Sequence, residues 1–534
     1  MILPVLLLVC YAVVARSMHF PAHFVKWNGP GGCKRPSSRS NVVDLEKRSG
    51  VDLVASAMEK EQSSRLDIMK GLVQVKDRLT CTISRALPSM SRFLSKDASC
   101  PYIDKKTGTK KGETSSSSDV KVANENELKQ SSGKKKVLIL MSDTGGGHRA
   151  SAQAIDRSLK EQFPGKIDVD IIDIWTTYAK WPFNRFVPTY RYVAQRPMMW
   201  RGFYAYGQFP PTKFFTETWS WMSSYWSFKK AIVSRDPDLV VSVHPLCQLM
   251  PIWVVEQMNK ERSKNKSPIP FVTVVTDLGG AHGTWFDRRA DAVFVPSDAV
   301  SRIARRCRIQ KSKIIQRGLP IRPAFWSKAQ GKKASIRKSL GLWEDYKTIL
   351  LMGGGDGVGG LGKIATEIAN KCSKNQQVKT QMVVICGNNE KLKHELRAQA
   401  HPENMKVVVR GFVNNIHEYM GASDCIVTKA GPGTIAEAMT RGLPIVLSSF
   451  LPGQEAGNVP YVVQGGFGLY PGPKPRKIAS SVAKLIVDDK RLQSMGEKAL
   501  ATARPEATQE IARDIGNIVL RPFGTSNILD LLKK

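Results

Sequence analysis

The sequence is 534 residues long, which at roughly 100–200 residues per domain holds two to four units and excludes a single small binding module. Eighty Lys and Arg stand against 46 Asp and Glu, a net charge of +34, and a charge of that size implies nucleic acid or a membrane carrying anionic lipid as partner. Hydrophobic residues make up 42% of the chain, enough for ordinary cores, and its nine cysteines contain no CxxC pair. They match neither a disulfide scaffold nor a zinc ribbon and read as scattered buried thiols in a reducing compartment.

Residues 1–133 differ in texture from the rest. Ile2 to Val14 is an apolar run, shorter than the roughly 20 residues that span a bilayer. Ser-, Lys- and Arg-rich sequence follows, through Ser115 to Ser118 and on to Lys134, so this region reads as a targeting segment and linker. Its acids from Asp44 onward exceed what an organellar transit peptide carries. Asn41 to Met69 has the pattern of a short amphipathic helix.

From Val137 short apolar runs alternate with helical periodicity. Val137–Met141, Ile167–Ile174, Leu239–Val243, Phe271–Val275, Ala292–Val295 and Lys313–Ile315 read as strands, with a helix over Arg149–Phe163. Such alternation predicts parallel βαβ units. The pattern restarts after Gly318 to Arg322, with strands at Thr348–Met352, Gln381–Ile385, Val407–Val409, Asp424–Val427 and Pro444–Leu447. The fold class is therefore α/β: two tandem doubly wound, Rossmann-like domains, 134–320 and 321–520, with a tail at 521–534. A ligand is expected in the cleft between them, at the carboxyl ends of the strands.

Several motifs carry chemistry. Gly355-x-Gly357-x-x-Gly360 fits a dinucleotide fingerprint by letter, yet no acid ends the next strand, and Ile364 stands where a P-loop needs Ser or Thr. A glycine-rich loop whose amides meet a diphosphate is the better reading. Asp168-Val-Asp170 and Asp236-Pro-Asp238 lie in or before strands, so no metal and no cofactor is assigned. Thr434 and Glu437 have capping-box spacing; the functional alternative gives Thr434, Gly433 and neighbouring amides a phosphate and Glu437 a ribose diol. His148, closing Gly145-Gly146-Gly147, sits at a helix start, where a neutral imidazole is favoured and can accept a proton. Trp175 to Lys230 holds 6 of 11 tryptophans, 19 of 42 aromatics, eight Lys or Arg and one acid, Glu217. Trp181, Tyr190 and Trp200 interleaved with Arg185, Arg191, Arg196 and Arg201 suit a headgroup layer more than single-stranded nucleic acid.

Taken together, Ser142-Asp-Thr-Gly-Gly-Gly-His148, Gly353-Gly-Gly355, Gly411-Phe412-Val413, Lys429-Ala-Gly-Pro-Gly-Thr-Ile-Ala-Glu437 and Leu451-Pro-Gly-Gln454-Glu455 resemble the GT-B glycosyltransferases. The resemblance narrows to the plant monogalactosyldiacylglycerol synthases, relatives of the bacterial enzyme that glycosylates the peptidoglycan lipid precursor, and runs from about Lys136 to Arg513. It implies inverting transfer of galactose from UDP-galactose to diacylglycerol, without a metal, by a peripheral protein of the plastid envelope. It also implies His148 as base, Gly146 and Gly147 toward the acceptor, and Phe412 and Val413 on the uracil. Glu437 would meet the ribose, Arg322, Gly355 and Thr434 the diphosphate, and Gln454 and Glu455 the sugar hydroxyls. Expected partners are anionic lipids, phosphatidic acid or phosphatidylglycerol, with no nucleic acid, and self-association as a homodimer. The alternatives are a relative using UDP-glucose or UDP-N-acetylglucosamine on another lipid, or an inactive peripheral membrane or RNA-binding protein.

Overall fold

The structure, a computed structural model, describes residues 133–521 except Gly145, Gln195, 263–266, 328–330, 354–359 and 375–377. The targeting segment through residue 132, the Asn41–Met69 helix, Gly355 and residues 522–534 lie outside the described residues.

The first lobe is a six-stranded parallel sheet of β1 (Lys135–Met141), β2 (Ile167–Asp173), β3 (Leu239–Ser242), β4 (Phe271–Val274), β5 (Ala292–Val295) and β6 (Ile314–Gln316), in the order 2-1-3-4-5-6. Strands β3, β4 and β5 are buried along their whole length, the reason their sequences are apolar but for Ser242 and Thr273. Helix α1 (Gly146–Gln162) follows β1 and puts Ala152, Ile155 and Leu159 against the sheet. Between β2 and β3 the aromatic-rich stretch folds as α2 (Ile174–Tyr178), α3 (Phe186–Ala194), α4 (Pro197–Gln208) and α5 (Pro210–Val233). Helices α6 (Leu249–Glu261) and α7 (Asp298–Arg306) complete the lobe.

The second lobe repeats the plan with β7 (Lys347–Met352), β8 (Thr380–Ile385), β9 (Lys406–Arg410), β10 (Cys425–Lys429), β11 (Ile445–Ser449) and β12 (Gly468–Leu469), ordered 12-11-10-7-8-9. Every expected strand is present. The two-residue β12 is additional, too short to leave an apolar run in the sequence. Its helices are α8 (Lys333–Ser339), α9 (Leu361–Cys372), α10 (Glu390–Ala398), α11 (Ile416–Ala422), α12 (Pro432–Thr440), α13 (Asn458–Gln464), α14 (Pro475–Ile486) and α15 (Asp489–Thr502).

The sequence groups residues 321–520 in the second lobe, but the structure takes the last helix, α16 (Ala507–Val519), out of it. Ile511, Ala512, Ile515, Ile518 and Val519 join the core of the first lobe with Ile139 and Ile155. Periodicity reveals an apolar face but not the surface that covers it. Close fit is enforced at Gly516, where a Cβ would lie 2.1 Å from the Phe163 ring. The two passages between lobes run together: Arg317 Nε meets Asp514 at 2.8 Å, and Ile321 exchanges hydrogen bonds of 2.9 and 3.0 Å with Thr508 Oγ1.

Candidate functional site

In both sheets the strand order reverses beside the first strand, at β1/β3 and at β7/β10, and crevices at such points are where open α/β sheets hold ligands. His148 is the third residue of α1, just past the end of β1. Its Nδ1 lies 3.0 Å from the Val243 carbonyl oxygen and 2.9 Å from Thr276 Oγ1. A carbonyl only accepts, so Nδ1 carries the proton and Nε2 keeps its lone pair. Burial lowers the imidazole to about 4, while the Val243 hydrogen bond and Asp143 act against that shift. The ring meets His244 edge-on at 4.4 Å and Trp285 at 6.1 Å. His244 Nδ1 accepts from the Leu246 amide at 3.1 Å, so its Nε2 donates to Thr144 Oγ1 at 2.9 Å. Burial holds this second imidazole well below its ordinary value. The two histidines thus form a neutral pair with fixed tautomers.

In the second lobe α12 starts directly after β10. Its N-cap is Gly431, and no side chain caps it, so the capping-box geometry of Thr434 and Glu437 is not formed. Glu437 is instead gripped by Arg322, Nε to Oε1 and Nη2 to Oε2, both at 2.6 Å. Such bidentate pairs fix both partners. Nothing lies within 4 Å of a Cβ built on Gly433, which leaves the backbone at this helix start open to close approach. Phe412 is exposed, and Val413 packs on the second core.

The lobes meet at the site. Gly279 and Gly280, after β4, abut Gly457: a Cβ on Gly279 would lie 2.2 Å from the Gly457 carbonyl oxygen. Asn458 Oδ1 accepts from the Gly279 amide at 2.7 Å, while its Nδ2 donates to Ala430 O at 2.8 Å. Glu455 is buried; its Oε1 accepts from Lys429 Nζ at 2.7 Å and its Oε2 from the Leu451 amide at 2.9 Å. Across from it is Asp277, a residue that sequence reasoning missed. Burial pushes its carboxyl up to about 7 against the hydrogen bond from Trp285, with Glu455 adding to the rise. Trp285 Nε1 donates to Asp277 Oδ2 at 2.7 Å. The position of Asp277 three residues past Val274, the end of the buried strand β4, was the available signal.

The aromatic insertion divides into two populations. Trp200, expected to face the membrane, is only 4% exposed, and its Nε1 donates to Pro452 O at 2.8 Å. Tyr190, expected there too, donates from Oη to Gln454 Oε1 at 2.5 Å. Both therefore bind the second lobe, because an indole N–H and a phenol serve a half-buried carbonyl as readily as a headgroup. Trp181 is exposed as expected, as are Arg185, Arg191, Arg196 and Arg201. Arg191 Nη2 reaches Asp143 O at 3.0 Å, and Arg196 stacks 3.6 Å over the Tyr192 ring. Sequence reasoning did not single out Met198, Phe209, Phe214, Phe215, Met222 and Trp226, all exposed, with Met198 at 86%. Gly147 sits at the site with open space around it. Gly146 opens α1.

Residues 148–321 match the family model described as Monogalactosyldiacylglycerol (MGDG) synthase, and residues 348–511 match the Glycosyltransferase family 28 C-terminal domain. The chain is 40% identical over 392 residues to monogalactosyldiacylglycerol synthase 1, chloroplastic, of Arabidopsis thaliana, covering 72% of this chain and 71% of that protein. It is likewise 40% identical over 391 residues to the chloroplastic monogalactosyldiacylglycerol synthase of Spinacia oleracea, covering 72% of this chain and 73% of that protein. Among solved structures, Acinetobacter baumannii MurG aligns with a TM-score of 0.47 at 16% identity, over 71% of this chain and 98% of that one.

Proposed function

The chain belongs to the monogalactosyldiacylglycerol synthase family, and from that we propose that it moves galactose from UDP-galactose to the free hydroxyl of 1,2-diacylglycerol, forming monogalactosyldiacylglycerol. The observation that carries the reading on this chain's own residues is His148, neutral and tautomerically fixed with Nε2 unprotonated. In the proposed step the acceptor oxygen attacks the anomeric carbon of galactose, the bond from that carbon to the diphosphate breaks with inversion, and the hydroxyl proton passes to Nε2. Asp143, whose charge favours the imidazolium, supports His148 in its protonated state. Charge building on the departing UDP is met by Arg322 and by the amides around Gly433 and Thr434 at the start of α12. Glu437 holds Arg322 in place for that task and serves the ribose from the same position. Phe412 and Val413 take the uracil, and Gln454 and Glu455 the sugar.

In this reading residues 134–320, with α16 packed on them, serve the acceptor, and the rest of residues 321–520 serve the donor. Diacylglycerol stays in the bilayer, so the first lobe docks there, through the exposed Trp181, Met198, Phe209, Phe214 and Phe215 and the cations of α3 and α4. Anionic headgroups, phosphatidic acid or phosphatidylglycerol, complement those cations. The matched relatives are named chloroplastic, and among the described residues no helix is long and apolar enough to cross a membrane. The chloroplastic names support a place in the plastid, and the exposed aromatic and cationic face of the first lobe supports peripheral attachment to its envelope.

The test presents the full chain with diacylglycerol in anionic vesicles and UDP-galactose, UDP-glucose or UDP-N-acetylglucosamine. A β-galactosyl diacylglycerol is expected, and His148→Ala should lower kcat by at least about 100-fold, the usual contribution of a general base, with UDP affinity kept. Equal loss of turnover and UDP affinity would make His148 structural.

A further inference from the structure

We infer that Tyr190, on α3 of the first lobe, is a positioning residue for the donor sugar, orienting the Gln454 amide of the second lobe; the assignment rests on the galactosyl-transfer reading above. Burial, with Glu455 nearby, pushes the phenol well above its ordinary range, so its O–H stays protonated and donates to Gln454 Oε1 at 2.5 Å. With Oε1 occupied, the amide turns its Nε2 donors toward the ligand. It then selects sugar hydroxyls acting as acceptors, in one of the two orientations a free amide would sample.

The contact is one of three that pin the same loop. Trp200 Nε1 donates to Pro452 O at 2.8 Å. Tyr204 lies over Gly453, where a Cβ would come 2.3 Å from Cζ and where φ is +83°, so both space and backbone demand glycine. Pro452, Gly453 and Gln454 are thus held from the other lobe by α3 and α4. Glu455, the next residue, is held from its own lobe by Lys429. Helices that carry the exposed bilayer-facing residues therefore also fix one side of the sugar subsite.

Full-length Tyr190→Phe would be assayed on anionic vesicles containing diacylglycerol, with UDP-galactose and with UDP-glucose. Loss of one hydrogen bond should raise KM for UDP-galactose about five- to tenfold, lower the preference for galactose over glucose, and leave inhibition by UDP, which lacks the sugar, unchanged. In a Gln454→Ala background the same substitution should add nothing. Unchanged KM and preference, a matching loss of UDP affinity, or full additivity with Gln454→Ala would each overturn the assignment. If Tyr190→Phe does not fold, Trp200→Phe, which removes the indole N–H from Pro452, decides by the same criteria. A wild-type protein that makes no galactolipid overturns the underlying reading, an outcome visible before any variant is compared.

Discussion

At the scale of single residues the cleft contains two buried groups shifted in opposite senses of charge. His148 ordinarily titrates at 6.5 and is lowered to about 4. Above 6.5 both folded and unfolded chains leave it neutral; as pH falls toward 4 only the unfolded chain takes up the proton, and stability is lost across that window. Asp277 is raised from 3.8 to about 7. Below 3.8 it is protonated in both states, and as pH rises toward 7 only the unfolded chain ionises, so stability is lost with rising pH. Asp277→Asn keeps an acceptor for the Trp285 indole and removes that liability. Its stability advantage over wild type should be near zero below pH 4 and grow to on the order of 4 kcal/mol at pH 8, measured by urea unfolding at each pH. An advantage equal at both pH values would mean that the charge is not the cause. The sequence places Asp277 just past a buried strand, but an acid there is common; what singles it out is its burial in the fold, with Glu455, 178 positions away, adding to the shift. His148 was legible, because a strand end, a glycine run and a helix start already place its ring.

At the scale of elements the strands were readable because parallel strands buried on both faces run as near-continuous apolar sequence. The capping box was a misleading cue, since the bonds its spacing allows lost to the bidentate grip of Arg322 on Glu437. Trp200 and Trp181 share a composition and a neighbourhood, and only the fold separates the buried ring from the exposed one. The docking of α16 on α1 gives a sharp test. Gly516→Ala should cost about 1–3 kcal/mol through overpacking on Phe163, read from urea unfolding. Phe163→Ala in the same chain should absorb part of that cost, and a neutral Gly516→Ala would place the helix differently.

At the scale of the whole molecule, the proposed membrane attachment divides between a net charge of +34 and a set of exposed apolar side chains. Phe214 is 62% exposed and Phe215 52%. Replacing both with Ala should weaken binding to anionic vesicles more than tenfold, given about 1.5–3 kcal/mol for each fully buried Phe, while the dependence on salt keeps its slope because no cation is lost. Flotation of wild type and variant across a salt series reads both quantities. Unaltered affinity would locate the bilayer contact on another face.

The return of α16 to the first lobe also sets an order of assembly. The sheet carrying His148 is begun by β1 at Lys135, yet Ile511, Ile515 and Ile518 are part of its core. A ribosome releases those residues only after the entire second lobe has emerged. Domains that are contiguous in sequence can fold as they appear, amino-terminal first; here the earlier lobe must wait, partly uncovered, for the later one. His148 and the helices α2 to α5 therefore reach their final support last, after the second lobe has been made.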